Sequence, residues 1–294
     1  MPVLAGVNIM IDLAVINQIT GGKLGEHDVA CPLCGPHARA PANQRREVLR
    51  IWYLKPGFAT FCCKRCDASG YTRDSNTSCP DPIVLARVRS EAAERQRVSV
   101  AERLVKARRL SSQSKPITGT IAEKYLQTRG IACTLPSTLR YLPASGKHSP
   151  AMIAAFGIPN EPEPSLLVID DSAVRGIHLT RLSPDGGKAG TERDKIMIGR
   201  SAGSPIVLAP PNDSLGLAIC EGIEDGLSIY AATGLGVWCA GSASRMPALA
   251  AAIPDYIECV TVFAHDDDAG QRGALDLAEA LSQRGIAVLV EGLQ

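Results

Sequence analysis

Aromatic side chains are scarce, with two Trp, six Tyr and four Phe making up 4 % of the 294 residues. A bound polymer would find few rings for its bases to stack on, so contact through charge is the expectation. Long apolar runs are also missing: nothing reaches the ~20 residues needed to cross a bilayer. The apolar start, Val7 to Ile19, is broken by Asn8, Asp12, Asn17 and Gln18. No basic segment precedes it, so it reads as an amphipathic helix and the chain is expected to be cytoplasmic, with no membrane partner. Internal repeats and low-complexity tracts are absent, which excludes a solenoid. Net charge is nearly absent too, at +1, but that balance conceals an asymmetry. Residues 1–115 hold 18 Lys and Arg against 10 Asp and Glu, whereas residues 116–294 hold 13 against 20. A basic front half is the footprint of phosphate contact, and the acidic back half is either a solvated surface or a carboxylate cluster suited to metal.

What the chain does have is ten cysteines, and they cluster. Cys31-Pro-Leu-Cys34 and Cys63-Lys-Arg-Cys66 are two Cys-x-x-Cys turns separated by 28 residues. Between them, Val48–Leu54, the turn Lys55-Pro56-Gly57 and Phe58–Cys62 predict a hairpin. Two such turns complete a tetrahedral thiolate shell, so Cys31, Cys34, Cys63 and Cys66 are the expected ligands of a structural Zn²⁺. A redox pair would need a single Cys-x-x-Cys at a strand-to-helix junction. His37 and Cys62 are substitute ligands by position, although Cys62 would point away from Cys63 on a strand. Cys220, Cys239 and Cys259 lie in apolar segments and read as small hydrophobes. The basic residues around the cysteines, among them Arg45, Arg46, Arg50, Lys64 and Arg65, are candidates for nucleic-acid contact.

The organisation follows from composition and punctuation. An N-terminal helix (1–27) ends near Gly21-Gly22, and a zinc-ribbon module occupies 28–74. A basic helical linker (75–115) carries apolar residues at roughly helical spacing between Ile83 and Leu110; its cationic face is either solvated or tracks phosphate. A mixed α/β subdomain is expected over 116–210, with a helix at Ile121–Arg129 and strands at Leu166–Ile169, Gly176–Leu182 and Pro205–Leu208. From 211 to 294, short apolar strands alternate with helices: Leu217–Cys220, Gly236–Ala240, Val260–Ala264 and Ala287–Val290. That alternation predicts a parallel α/β sheet with helices on both faces.

Acidic residues stand at two of those strand ends. Leu217–Cys220 runs into Glu221-Gly222-Ile223-Glu224-Asp225, which places Glu221 in the crevice at the carboxyl edge of the sheet. Gly222 is expected to allow a sharp turn, and Asp225 follows four residues later on the same helical face. Val260–Ala264 runs into His265-Asp266-Asp267-Asp268-Ala269-Gly270. In an extended exit, Asp266 and Asp268 point the same way and Asp267 points away. Such carboxylates repel one another unless a cation neutralises them, and hard oxygen ligands suit Mg²⁺ or Mn²⁺. A helix N-terminal role, complementing the macrodipole, accounts for Glu224, Asp267 and Asp276. For Glu221, Asp266 and Asp268, the repetition of one chemistry at two strand ends favours metal.

These residues resemble the Toprim fold of bacterial and phage primases, topoisomerases and some nucleases. The resemblance is carried by Glu221-Gly222-x-x-Asp225, by Asp266-x-Asp268-Ala269-Gly270, and by the small-residue loop Gly241-Ser242-Ala243. Upstream, Tyr125-Leu126-x-x-Arg129-Gly130-Ile131 is similar to the start of the subdomain before Toprim in replicative primases. Gly176–Leu182 with Lys188-Ala189 is similar to a segment of phage and mobile-element relatives. The resemblance covers most of residues 28–294. It implies Glu221 as catalytic acid/base, metal on Asp266 and Asp268 supported by Asp225, and phosphate contacts from Arg175, Arg181, Lys188 and Lys195.

The implied activity is that of a DNA primase-like nucleotidyltransferase of a phage, plasmid or integrative element. It would make short RNA primers from ribonucleotides on a single-stranded DNA template, beside a separate replicative helicase. Two departures from that pattern are expected to bear on activity: within these 294 residues Glu291 alone stands where relatives carry an acidic cluster, and neither a helicase-interaction domain nor a phosphate-binding Gly-Lys-Ser/Thr loop is expected in them. The alternatives are a non-catalytic zinc-finger and Toprim DNA-binding protein of replication or recombination, and a Toprim nuclease.

Overall fold

A computed structural model describes residues 11–36, 44–66, 68–75, 82–146, 148–164, 166–191 and 193–292. The chain divides into two compact units, Met1–Ala92 and Ala93–Gln294.

The first unit opens with α1 (Leu13–Thr20), whose end is marked by Gly21 in the left-handed region. A four-stranded antiparallel sheet follows in sequential order: β1 (Gly25–Ala30), β2 (Glu47–Lys55), β3 (Phe58–Cys63) and β4 (Ser69–Arg73). The expected hairpin is β2–β3, and Gly57, at φ 80°, supplies the positive angle that its tight turn demands. Strands β1 and β4 are additions to the sequence reading. Their residues (Gly-Glu-His-Asp-Val-Ala and Ser-Gly-Tyr-Thr-Arg) are mostly polar or exposed and carry no apolar alternation. β1 also shortens the expected N-terminal helical segment, since residues 25–27 are strand. Alternate residues of β2 (Leu49, Ile51, Tyr53) pack with Ile16, Ala59, Phe61, Cys31 and Cys63. Each fully buried large side chain contributes about 1.5–3 kcal/mol, so this core is small.

The second unit contains two five-stranded sheets. After α2 (Pro82–Ser112) come β5 (Lys115–Pro116), α3 (Ile121–Thr128), β6 (Leu139–Leu142) and β7 (Ala151–Phe156). The hairpin β8 (Asn160–Glu163) and β9 (Leu166–Val168) stands apart, followed by β10 (Gly176–Arg181) and β11 (Lys195–Gly199). The first sheet is antiparallel with order β11-β10-β7-β6-β5. Every residue of β7 is buried because the strand is covered on both sides. Ala151, Ile153 and Ala155 pack with Ala107 of α2, while Met152, Ala154 and Phe156 face the second sheet.

That second sheet comprises β12 (Ile206–Ala209), β13 (Gly216–Cys220), β14 (Gly236–Cys239), β15 (Cys259–Phe263) and β16 (Ala287–Glu291), in the order β12-β14-β13-β15-β16. β13 to β16 are parallel, as expected; β12 is antiparallel to β14 and forms an edge. Sequence patterning had assigned that strand to the preceding subdomain, because an isolated apolar run does not disclose its partner. Helix α4 (Ile223–Thr233) packs with Ala218 and Cys220 on one face. Helix α5 (Asp268–Ser282) and the 3-10 turn Pro247–Ala252 pack with Leu217, Ile219, Val260 and Val262 on the other. Alternation along β13 thus puts a layer on each face, the α/β arrangement expected.

Candidate metal and nucleic-acid site

The sulfurs of Cys31, Cys34, Cys63 and Cys66 all lie within 4.8 Å of one another. Cys31 and Cys66 are 4.0 Å apart and Cys34 and Cys63 3.8 Å, near the edge of about 3.8 Å that a tetrahedron with 2.3 Å metal–sulfur bonds requires. The two cysteine turns reach this geometry because β2 and β3 bring Cys63 back beside Leu49. Burial first, then the neighbouring thiols, pushes Cys34 up to about 12. The Cys34 thiol is therefore held protonated, and a bound divalent cation would reverse that. The donor set fits a zinc ribbon. Cys62 is not part of this cluster, and His37 lies outside the described residues.

The acidic site grows from the ends of adjacent strands β13 and β15. The backbone of Glu221 is fixed by continued pairing with β14: Gly241 N–H donates to its carbonyl at 2.9 Å. Gly222 is in an extended conformation, φ −102° and ψ 154°, so it is not there for a special turn angle. It is there for room, because a Cβ would lie 2.5 Å from Asp225 Oδ2. That oxygen is 3.1 Å from His265 Nε2, with both side chains about half exposed. The Asp225 hydrogen bond raises the His265 pKa, helped by the charges of Glu221, Asp225 and Asp267. Gly270 lets the start of α5 close on His265, whose Cβ and carbonyl would each be 2.7 Å from an added methyl.

Asp266 leaves β15 exposed, but Asp268 is already the first residue of α5, so the two do not share the extended exit anticipated from sequence. Asp267 caps that helix, accepting from Gly270 N–H at 2.7 Å. Among the described residues, Glu221, Asp225, Asp266 and Asp268 do not form a set of three with ligand atoms inside 4.8 Å. Carboxylates are nevertheless the donor type that a hard divalent cation takes.

Beneath the acids lies a buried polar layer that sequence reasoning missed. Glu224 is 8 % exposed. One of its oxygens accepts from Tyr125 Oη at 2.7 Å, and the other pairs with Lys195 Nζ at 3.2 Å. Burial works against its charge, yet Lys195 and Tyr125 hold its pKa down to about 2. His178, on β10, is 5 % exposed, and burial pushes its pKa down to about 4, with Lys195 and Arg245 adding to the effect. Arg245, in the turn after β14, donates to Ala240 O at 3.1 Å and lies over the Phe156 ring at 5.0 Å. His178 Nδ1, Thr180 Oγ1 and one terminal nitrogen of Arg245 are buried without hydrogen-bond partners. The local signals were the Tyr125-Leu126-x-x-Arg129-Gly130 motif, the Gly176–Leu182 segment and Lys195, and none of them disclosed that Tyr125 meets Glu224 99 residues away.

The basic candidates separate. Arg181 ends β10, Lys195 begins β11, and Lys188 lies in the connection between them, so these three share one end of a hairpin. Arg175 precedes β10 and stands at the opposite end, about 20 Å away by strand rise. In the first unit, Arg45, Arg46 and Lys64 are exposed and Arg65 is half-buried. Arg50 is committed to carboxylates: it grips Asp28 through two hydrogen bonds of 2.8 and 2.6 Å and meets Glu26 at 3.1 Å. No described helix is long and apolar enough to cross a membrane.

Comparison with known proteins matches two regions of the chain to domain families. Residues 216–291 match the Toprim domain family, and residues 101–208 match a domain family of unknown function, DUF7146. Solved structures similar to the chain include the zinc-binding and RNA polymerase domains of the Aquifex aeolicus primase, at 15 % identity and TM-score 0.43; the match covers 95 % of this chain and 76 % of that one. The primase fragment of the bacteriophage T7 primase-helicase protein is similar at 12 % identity and TM-score 0.37, covering 82 % of this chain and 86 % of that one. No curated protein sequence matches the chain. Residues 216–291, with Glu221 and the Asp266–Asp268 element at neighbouring strand ends, are a Toprim domain, carried in one chain with a four-cysteine module that fits a zinc ribbon.

Proposed function

We propose that this chain is a primase-type nucleotidyltransferase of a phage, plasmid or integrative element, joining ribonucleotides into short primers on single-stranded DNA. The observation that carries the reading is the placement of Glu221 and of Asp266 with Asp268 at the carboxyl ends of adjacent parallel strands in the Toprim domain. Asp225, Asp266 and Asp268 would hold Mg²⁺ or Mn²⁺, and Glu221 would be within reach of the same ion. Such an ion, when bound, supplies charge stabilisation for a transferring phosphoryl group. Glu221 accepts the proton of the attacking 3′-hydroxyl. Arg181, Lys188 and Lys195 offset phosphate charge; the Lys195 ammonium has three donors, and its contact with Glu224 anchors it at the hairpin root. The cysteine module holds Zn²⁺ as a structural ion, and its exposed Arg45, Arg46 and Lys64 contact the template backbone. A replicative helicase is the expected partner.

A second reading, a zinc-finger and Toprim DNA-binding protein without chemistry, is favoured by one observation: the acids do not close into a single shell. The test is incubation with single-stranded DNA, labelled ribonucleotides and Mg²⁺ or Mn²⁺, beside the Asp266→Asn/Asp268→Asn variant. Short labelled oligomers from the wild type alone support the polymerase. DNA retained without product supports the binding module, and degraded template in the wild-type lane alone supports a nuclease.

A further inference from the structure

We infer that His178, Thr180 and Arg245 form a pocket for a phosphoryl group in the second unit, and that its occupant is the terminal phosphate of a nucleoside triphosphate. The inference rests on the polymerase reading above for the source of the phosphate. It goes beyond that reading in assigning three residues that lie outside both the acidic site and the basic end of the β10–β11 hairpin.

Strand alternation brings the three together. His178 and Thr180 are two apart on β10, so they point to the same side. Their partners across the ladder are Ala154 and Met152 of β7, which face the second sheet. Arg245 reaches that face from the second sheet: it follows β14, its Nε donates to Ala240 O at 3.1 Å, and its guanidinium lies 5.0 Å from the centre of the Phe156 ring. Phe156 is two residues along β7 from Ala154, the partner of His178. Burial lowers the His178 pKa and the charges of Lys195 and Arg245 add to it, so both cations stand near the ring.

The state of the donors is a separate observation. His178 is 5 % exposed and Thr180 is fully buried. His178 Nδ1, Thr180 Oγ1 and one terminal nitrogen of Arg245 are buried without a hydrogen-bond partner among the described residues. Unpaired buried polar groups are costly, and three at one junction point to a ligand that pairs with them. Imidazole N–H, hydroxyl and guanidinium can all donate. The nearby Glu224 carboxylate already accepts from Tyr125 Oη on one oxygen and from Lys195 Nζ on the other. An acceptor with several lone pairs is what the three donors call for, and a guanidinium fork matches phosphate. Arg245 is only half-buried, so its movement opens the way from the crevice to β10.

The position suits the far end of a triphosphate. Ala240 N–H donates to Cys220 O and Gly241 N–H to Glu221 O, each at 2.9 Å, so the backbone that anchors Arg245 adjoins Glu221. A nucleotide attacked at its α-phosphate beside Glu221 extends its remaining phosphates along the crevice at the strand ends, where Arg245 stands one strand to the side. A diphosphate ends short of it.

The test uses the full, zinc-loaded chain in Mg²⁺. Calorimetric titration gives the affinities of ATP, ADP, orthophosphate and a single-stranded oligonucleotide for wild type, Thr180→Val and Arg245→Gln. Thr180→Val removes the hydroxyl and keeps the shape. Wild type should bind ATP about tenfold more tightly than ADP. Thr180→Val should weaken ATP about fivefold and Arg245→Gln about tenfold, with ADP changed by less than about twofold in both. A merely structural role weakens both nucleotides alike, and that outcome overturns the inference, as does wild type that binds ATP no better than ADP. Orthophosphate bound as tightly as ATP and lost in both variants assigns the pocket to the free ion and overturns the nucleotide. Oligonucleotide binding lost in both variants, with ATP unmoved, overturns it in favour of a backbone phosphate. The primer assay scores the polymerase reading separately. Primers made by a wild type whose ATP affinity neither variant alters overturn this inference alone. An ATP-specific loss in the variants of a chain that makes no primers overturns the polymerase and leaves the phosphate pocket standing.

Discussion

Cys31, Cys34, Cys63 and Cys66 bring their sulfurs within 4.8 Å of one another, whereas Glu221, Asp225, Asp266 and Asp268 share two strand ends without closing to that distance. The contrast reflects what each set stands on. Two of the four sulfurs, those of Cys31 and Cys63, belong to a core of only a few large apolar side chains, so the shell is part of what holds the first unit together. The acids stand on a sheet with apolar layers on both faces and a buried polar layer below, and the fold does not need their ligand. A closed soft site acts as structure, and an open hard site exchanges what it holds.

The largest effect should come from breaking the closed site. Chelation, or Cys63→Ser, is expected to unfold the first unit, since structural zinc contributes on the order of 10 kcal/mol to such modules. Circular dichroism with metal analysis reads this as one Zn²⁺ lost together with sheet signal. In the same experiment Asp266→Asn/Asp268→Asn should keep its melting midpoint within about 2 °C. A midpoint that falls with the acids, or stands after chelation, would erase the contrast.

The next effect probes the polar layer under the open site. His178 is held neutral by burial, with a folded pKa of about 4 against 6.5 for the free side chain. Between those values the unfolded chain binds the extra proton, so stability is full above about pH 6.5 and is lost as pH falls toward 4. The loss amounts to about 3 kcal/mol. Glu224 extends the trend downward: its depressed pKa gives stability above about 4.5 that disappears toward 2. Denaturant melts from pH 7 to 4 should show the slope, and His178→Gln should flatten it. The smallest effect is expected of Gly222→Ala, which crowds Asp225 Oδ2, a side-chain tip that can move. Folding stability should change by less than about 0.5 kcal/mol, while Mn²⁺ affinity measured by titration falls about tenfold.

Much of this was legible in the sequence, and the reasons are local. The β2–β3 hairpin has a Gly turn between apolar runs, β13 and β14 are apolar runs buried along their whole length, and β15 and β16 are apolar runs that alternate with helices. Glu221 was legible because a strand end fixes where the next side chain goes. β1 and β4 were not, being polar edge strands whose partner supplies their order. β7 carried a signal that went unread, six apolar residues in a row. Glu224 was read as a helix N-terminal acid because nothing nearby in sequence announces Tyr125 or Lys195, 99 and 29 residues away. The Asp266–Asp268 geometry shifted because α5 begins at Asp268, inside the segment that the sequence reading took as an extended exit.

The antiparallel strand β12 has a practical consequence for dissecting the molecule. A fragment cut at residue 211, where the alternation of strands and helices becomes regular, would strip β14 of its neighbour and bare a row of unpaired amides. Bare edges of that kind recruit other chains, so such a fragment is set to self-associate. Beginning a few residues before Ile206 keeps the edge clothed.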